Sequence, residues 1–362
     1  MRTTVLSKQM SALPPYLGGK RRLIPWIFKT LEKAAPRNNW QNLTFLDAFT
    51  GGGSVSLYAK AQGFKQIYSN DWSDRSQLII QGLLVNQSTT FSKEEMLILT
   101  APLTPEACPG FVQAHFSPSV FAARHADALD RMLTGIAGFQ SPSKQALGKL
   151  LVWHLIQDFV CMATSIGTSN RPYAETLDGL RHWQVLNPKR FLDGSFPNLL
   201  KPTWHSIDKR RQAINKGVFT GSPVQGFQME AIAFVSQVQG DILYADPPYP
   251  GCVSYEASNR TLDSILTCSL AESKLITSPF TQDASALDLL FEQARHIPIW
   301  ILFYGNHQLS LDELVKQVKR HCPNRQIQAE ARAYKHLSHV SKNQDNQEFL
   351  VMGPTVRKGI FP

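Results

Sequence analysis

Asp246-Pro247-Pro248-Tyr249 closes the apolar run Asp241-Ile242-Leu243-Tyr244-Ala245 and places an acid and a phenol at one point of the chain. A carboxylate there can accept hydrogen bonds from a bound group, and the ring beside it offers a flat face. Proline supplies no ladder donor and fixes its own backbone angle, so the strand has to stop and Asp246 and Tyr249 project at a sheet's carboxyl edge. Open α/β sheets bind their ligands at that edge. Two prolines alone would mark only a rigid turn; the flanking residues and the glycine-rich stretch described next point to a site.

That stretch is Thr44-Phe45-Leu46-Asp47-Ala48-Phe49 followed at once by Thr50-Gly51-Gly52-Gly53-Ser54 and the helix-like VSLYAKAQGF. It reads as strand, glycine turn, helix: the glycines let a ligand lie against the main chain, and a helix start presents free amides. Any tight strand-to-helix turn uses glycine, but Phe-x-Gly-x-Gly with Asp47 two residues before Phe49 is more specific. A second strand, Lys65-Gln66-Ile67-Tyr68-Ser69-Asn70, runs into Asp71, 24 positions after Asp47. An acid at that strand tip is where nucleotide-binding α/β folds hold ribose hydroxyls, so Asp71 is the ribose candidate, with Asp74 a helix-start acid.

Near the amino terminus, PPYLGGKRRLIPWIF sets Gly18-Gly19 and three bases between Tyr16 and an apolar helical pattern. Gly19 permits close backbone approach, Lys20 can meet a carboxylate or phosphate, and Tyr16 offers a ring face. By itself this is equally a loop ahead of a helix.

The elements that must position these residues are α/β in rhythm at both ends of the chain. After Ala245 come a helix near Ala284 to Arg295, a strand at Ile297 to Tyr304, a helix at Leu311 to Cys322 and a last strand at Glu348 to Met352. Between Phe91 and about Gly226 the pattern is helical, including Leu147 to Met162. It interleaves aromatics with bases: Arg171, Arg181, His182, Trp183, Lys189, Arg190, Trp204, His205, Lys209, Arg210 and Arg211. Such interleaving suits phosphate contacts and base stacking, and equally a solvated basic face.

Composition narrows the classes. The 362 residues are 43% hydrophobic and 18% charged, which reads as globular, and 37 Lys and Arg against 28 Asp and Glu give a formal charge of +9, favouring a polyanionic partner. The five cysteines form no Cys-x-x-Cys pair and the ten histidines no HExxH-like spacing, so no metal is assigned. The amino terminus has no apolar signal core and no stretch matches a membrane span, so the expected location is the cytoplasm, with no membrane partner.

Taken together, PPYLGGK, DAFTGGGS with Asp71 after it, and DPPY resemble, in that order, the adenine-specific, Dam-like alpha group of the amino-methylating DNA methyltransferases, which use S-adenosylmethionine. The closing EFLVMG is similar as well. The resemblance implies a Rossmann-like doubly wound methyltransferase sheet, an α/β catalytic domain of residues 1–90 and 226–362, interrupted by a mainly helical target-recognition insertion at 91–225. It implies cofactor binding by Tyr16, Gly19, Lys20, Asp47, Phe49, Gly51, Gly53, Asp71 and Asp246, with Lys20 near the methionine carboxylate. It makes Asp246, Pro247, Pro248 and Tyr249 catalytic: Asp246 and the Pro247 carbonyl accept the target amine's protons, Pro248 stiffens the turn and Tyr249 stacks on a flipped-out adenine. The implied partners are double-stranded DNA and a restriction endonuclease or defence-system subunits.

The chain departs from that group at three points. Tyr16 stands for a tryptophan. Glu230 is the nearest acid where the family has an aspartate for the cofactor's adenine. Only Thr168-Ser169-Asn170-Arg171 suggests the asparagine- and arginine-rich middle stretch. Other readings are methylation of the cytosine 4-amino group or of RNA adenine, a lapsed cofactor-sensing DNA-binding protein, and a nicotinamide-dependent dehydrogenase. The last leaves two blocks unexplained.

Overall fold

The computed structural model describes residues 7–16, 18–100, 110–117, 120–121, 123–159, 203–248, 250, 255–270, 278–283, 285–306, 308–333 and 346–354. The chain divides into two compact units, each assembled from three segments: Lys20–Gln77, Gly221–Ser254 and Ile276–Pro362 in one; Met1–Gly19, Leu78–Thr220 and Tyr255–Leu275 in the other.

The first unit carries all seven strands: β1 Thr44–Asp47, β2 Gln66–Asn70, β3 Val224–Phe227, β4 Ile242–Ala245, β5 Ile299–Gly305, β6 Gln328–Ala333 and β7 Gln347–Pro354. Their order across the sheet is β3-β2-β1-β4-β5-β7-β6. The first five are mutually parallel, and β7 runs antiparallel to both β5 and β6. The chain leaves β1 for β2 on one side and returns to β4 on the other. The carboxyl ends of β1 and β4 therefore lie side by side at the switch point where such sheets hold ligands.

Both faces of the sheet are covered, which is why β1, β4 and β5 read as continuous apolar runs. On one face Phe45 stacks on Phe28 of the helix Ile24–Ala34 at 6.0 Å, and Phe303 meets Trp26 of the same helix edge-on at 5.8 Å. On the other, Leu46, Leu243, Trp300, Leu302 and Val351 pack on Phe234, Leu287, Leu290, Leu314 and Val318, contributed by the helices Ala231–Gln237, Ala286–Gln293 and Leu311–His321. The last helix begins with a capping box between Ser310 and Glu313.

Among its described residues the second unit has helices and no strand. Its helices Ala123–Ala137 and Pro142–Phe159 are joined by a short turn, and the latter is apolar nearly all round, with Leu147, Leu150, Leu151, Trp153, Leu155 and Ile156 buried. The α-helix Asp74–Ile79 continues into a π-helical turn, Ile80–Val85. Asp130 accepts hydrogen bonds from the Val112 and Gln113 amides at 2.8 and 2.9 Å, tying down the start of the helix Phe111–Phe116. His154 Nε2 lies 2.9 Å from the Ala12 carbonyl and holds the amino-terminal segment on the core. Among the described residues no helix is long and apolar enough to cross a membrane.

Candidate active site

In the sheet unit, Asp47 ends β1 and pairs in register with Tyr244, two residues before Asp246. Side chains of a strand alternate between faces, so Asp47, Tyr244 and Asp246 share the face covered by the helices Ile24–Ala34 and Ser54–Lys60. Lys20, at the start of the sheet unit, reaches this face: its Nζ lies 2.8 Å from Asp246 Oδ2 and 4.8 Å from the centre of the Phe303 ring. Lys20 thus pairs with the carboxylate of DPPY itself. Burial raises the Asp246 carboxyl above its ordinary range, and the Lys20 ammonium opposes the rise.

Asp47 is fully buried. Its Oδ2 accepts the Ser56 hydroxyl at 2.7 Å, Ser56 in turn lies 2.7 Å from Ser69, and Oδ1 has no hydrogen-bond partner among the described residues. Burial pushes the Asp47 carboxyl up to about 7; the Ser56 hydroxyl works against that shift, while the charges of Asp246 and Asp71 add to it.

The glycine turn is built on two left-handed residues, Gly51 at φ 48° and Gly53 at φ 72°, the latter leading into the seven-residue helix Ser54–Lys60. A β-carbon would strain both positions. The Gly51 amide donates to Asp71 Oδ2 at 2.8 Å, while Asp71 Oδ1 accepts from the Ser73 amide and hydroxyl at 3.0 and 2.8 Å. A carboxylate has about four lone-pair sites, so one acceptor position of Asp71 stays open beside the turn. Asn70 braces the same edge, donating to the carbonyls of Ala48 and Met229 at 3.1 and 3.2 Å. Phe49 meets Phe280 edge-on at 5.2 Å.

The structure thus brings Lys20, Asp47, Phe49, Gly51, Gly53, Asp71, Asp246, Pro247 and Pro248 onto one sheet unit. Tyr16 and Gly19 belong to the helical unit: the Tyr16 ring stacks on Tyr255 at 6.3 Å and leans on Trp153 at 6.2 Å, and its carbonyl accepts from the Gly19 amide at 3.1 Å. Tyr249 lies outside the described residues, as do Cys252 and the basic and aromatic positions from Arg171 to Arg190. The backbone of Trp204 and His205 belongs to the helix Thr203–Gly217, where Lys209 is exposed and Arg211 is engaged with Asp208 and the Phe91 carbonyl, each at 3.0 Å.

Glu230 has a structural task. Its carboxylate caps the helix Ala231–Gln237, accepting from the amides of Ile232 and Ala233. Sequence reasoning passed over Ser56, Tyr244 and Glu348. Glu348 alone left a signal, as the one acid at the head of an otherwise apolar closing strand.

A parallel-centred sheet with a glycine turn after its first strand, an acid at the tip of its second and an acid-proline-proline turn after its fourth is the arrangement in which open α/β sheets bind ligands at the carboxyl edge. The comparisons give the family. The family model of the D12 class N6 adenine-specific DNA methyltransferases matches residues 16–279, and the chain belongs to that family. Its reaction is methylation of the 6-amino group of adenine in DNA. Relatives include the type II methyltransferase M2.HphI of Haemophilus parahaemolyticus, 22% identical over 303 residues that cover 80% of this chain and 82% of that protein. The modification methylase LlaI of Lactococcus lactis subsp. lactis is 24% identical over 349 residues, 89% of this chain and 51% of the relative. The modification methylase StsI of Streptococcus sanguinis is 24% identical over 246 residues, 65% of this chain and 33% of the relative.

Proposed function

We propose that the methyl donor is S-adenosylmethionine, that it is held along the carboxyl edge of β1 and β2, and that Asp246 receives the target adenine there. The open acceptor position of Asp71 fits a ribose hydroxyl, the buried unpartnered Oδ1 of Asp47 fits an ammonium group, and the left-handed glycines leave the main chain bare. When bound, the cofactor supplies an electrophilic methyl on a sulfonium. Every other task falls to the chain.

The adenine amino nitrogen is a weak nucleophile because its lone pair is delocalised into the ring. Acceptors that hydrogen-bond its protons as they become acidic draw the nitrogen toward the reactive geometry. Asp246 is the charged acceptor and the Pro247 carbonyl the neutral one, both fixed in direction by the two prolines. Lys20 opposes the rise that burial gives the Asp246 carboxyl and so favours its charged form. Tyr249 stacks on the base once it has left the duplex, and water-excluding walls strengthen each contact. In the helical unit the basic positions of the helix Thr203–Gly217 hold the DNA backbone, a restriction endonuclease is the expected companion activity, and the site of work is the cytoplasm.

The single observation that carries this reading is the Lys20–Asp246 pair at the β4 edge, which supports Asp246 as a charged acceptor whose charge Lys20 controls. Asp246→Ala should lower methyl transfer to duplex DNA by at least about 1,000-fold while leaving DNA retention and binding of S-adenosylhomocysteine largely intact. Transfer can be read as label from the cofactor in separated bases. An unchanged rate would show that the catalytic centre lies elsewhere, and label in cytosine would show that the target amine is a different one.

A further inference from the structure

Glu348 is 2% exposed and heads β7, beyond the residues that the family model matches. In the β5–β7 ladder it stands opposite Gly305, while Leu350 stands opposite Phe303. Residues two apart on a strand share a face, so Glu348 projects from the side on which Leu350 and Phe303 lie. That is also the side of Lys20, whose Nζ sits over the Phe303 ring and against Asp246. Two carboxylates, from the ends of β4 and β7 with β5 between them, therefore share one mostly buried face with one ammonium. The charges of Lys20 and Asp246 both act on Glu348.

We propose that Glu348 is a positioning residue: it shares the Lys20 ammonium with Asp246, so that Asp246 keeps an oxygen of full acceptor strength for the target amine. The proposal rests on the reading of Asp246 given above. An ammonium has three donors, and in a dry site all of its charge would fall on a single carboxylate partner and quench it. A second carboxylate on the same face, coupled to Lys20 through space, divides that charge.

The other groups facing Glu348 leave it this role. On β4 the Tyr244 hydroxyl is uncharged, since burial holds its pKa well above the usual phenol range. On β5 the residue opposite is Gly305. On β6 the residue opposite is Arg332, but its guanidinium lies 4.5 Å over the Trp26 ring. Burial raises the Glu348 carboxyl to about 7, with Lys20 pulling it down and Asp246 pushing it further up. As pH falls through that value Glu348 takes a proton, releases Lys20 wholly to Asp246 and weakens the acceptor.

The experiment is single-turnover methyl transfer from S-adenosylmethionine to duplex genomic DNA free of adenine methylation, across about pH 5.5 to 8.5, bracketing the carboxyl in question. It compares the wild type with Glu348→Gln, Glu348→Asp and Asp246→Ala, with S-adenosylhomocysteine affinity measured by calorimetry alongside. Glu348→Gln should slow transfer by about 10- to 100-fold at neutral pH with cofactor affinity unchanged, and should lose the acid limb near 7; Glu348→Asp should recover part of the rate with a displaced limb. A wild-type rate and limb in Glu348→Gln would overturn the proposal, and so would a slowed rate whose limb stays in place, the mark of a merely structural residue. If Glu348→Gln does not fold, Glu348→Asp decides: a displaced limb supports the role and an undisplaced one overturns it. Full activity in Asp246→Ala would instead sink the underlying reading, whatever Glu348 does.

Discussion

Asp47 carries the clearest conflict between stability and function. Its carboxyl is raised from an ordinary 3.8 to about 7 by burial. Below pH 3.8 both folded and unfolded chains are protonated and the burial costs nothing. As pH rises toward 7 the unfolded chain gives up its proton first, so stability falls, and above 7 the cost is complete. Asparagine would keep an acceptor for the Ser56 hydroxyl and remove the charge. Asp47→Asn should therefore stabilise the protein at pH 8 by about 1–4 kcal/mol, given about 1.4 kcal/mol per pKa unit, and barely at all at pH 4. Thermal unfolding at the two pH values measures this. Calorimetry with S-adenosylmethionine should show weakened binding in the same variant; an equal stability change at both pH values would mean that the carboxyl titrates normally. Asp47 and Asp71 were legible as candidates because each stands at the tip of a strand that the sequence marks. The choice of Asp246 as the partner of Lys20 was not, because 226 residues separate them in the chain and only the fold closes that distance.

At the scale of elements, apolar strands announced themselves and edge strands did not. β1, β4, β5 and β7 show apolar runs and β2 a shorter apolar pair, Ile67-Tyr68, whereas β3, Val224-Gln225-Gly226-Phe227, and β6, Gln328-Ala329-Glu330-Ala331-Arg332-Ala333, show none. These two are the edges of the sheet. An edge strand pairs on one side only and stays partly solvated, so its residues need not be apolar, and strand propensity follows that context. The cap of the helix Ala231–Gln237 was hidden for a related reason: an acid before an apolar segment reads the same whether it meets a ligand or two helix amides. Glu230→Ala should cost about 1 kcal/mol of stability, as lost caps do, with cofactor affinity and transfer rate unchanged. Denaturant unfolding and calorimetry separate the outcomes, and a loss of cofactor affinity at unchanged stability would return Glu230 to the binding site.

For the molecule as a whole, the net charge of +9 and the basic helix Thr203–Gly217 bear on how DNA is held. Binding to phosphates releases counterions, so affinity should fall steeply with salt. Lys209→Ala and Lys216→Ala, both at exposed positions, should each reduce the slope of log affinity against log salt by about 1. Arg211→Ala should act differently, lowering the unfolding temperature, since its guanidinium is spent on Asp208 and on the Phe91 carbonyl. Filter binding across a salt series distinguishes them; a flat response in the wild type would remove this helix from the DNA surface. The three cations looked alike in the sequence because charge alone does not record which neighbour has already claimed it.

Local chemistry was enough for the sequence to determine the family, the α/β class, the glycine turn after β1 and the acid-proline-proline turn after β4. Each depends on a few adjacent residues whose backbone needs admit little else: a strand must stop at Pro247, and a bare left-handed turn needs Gly51 and Gly53. Tertiary structure alone decided what the charged groups do to one another. Lys20, Asp246 and Glu348 come from three distant segments and lie on one face because β4, β5 and β7 lie side by side, and the two carboxyls are raised above their ordinary range only because the fold buries them. Burial and through-space charge have no counterpart in residue order, so Asp246 could be named from the sequence as the proposed acceptor, while the charges around it had to be seen in the fold.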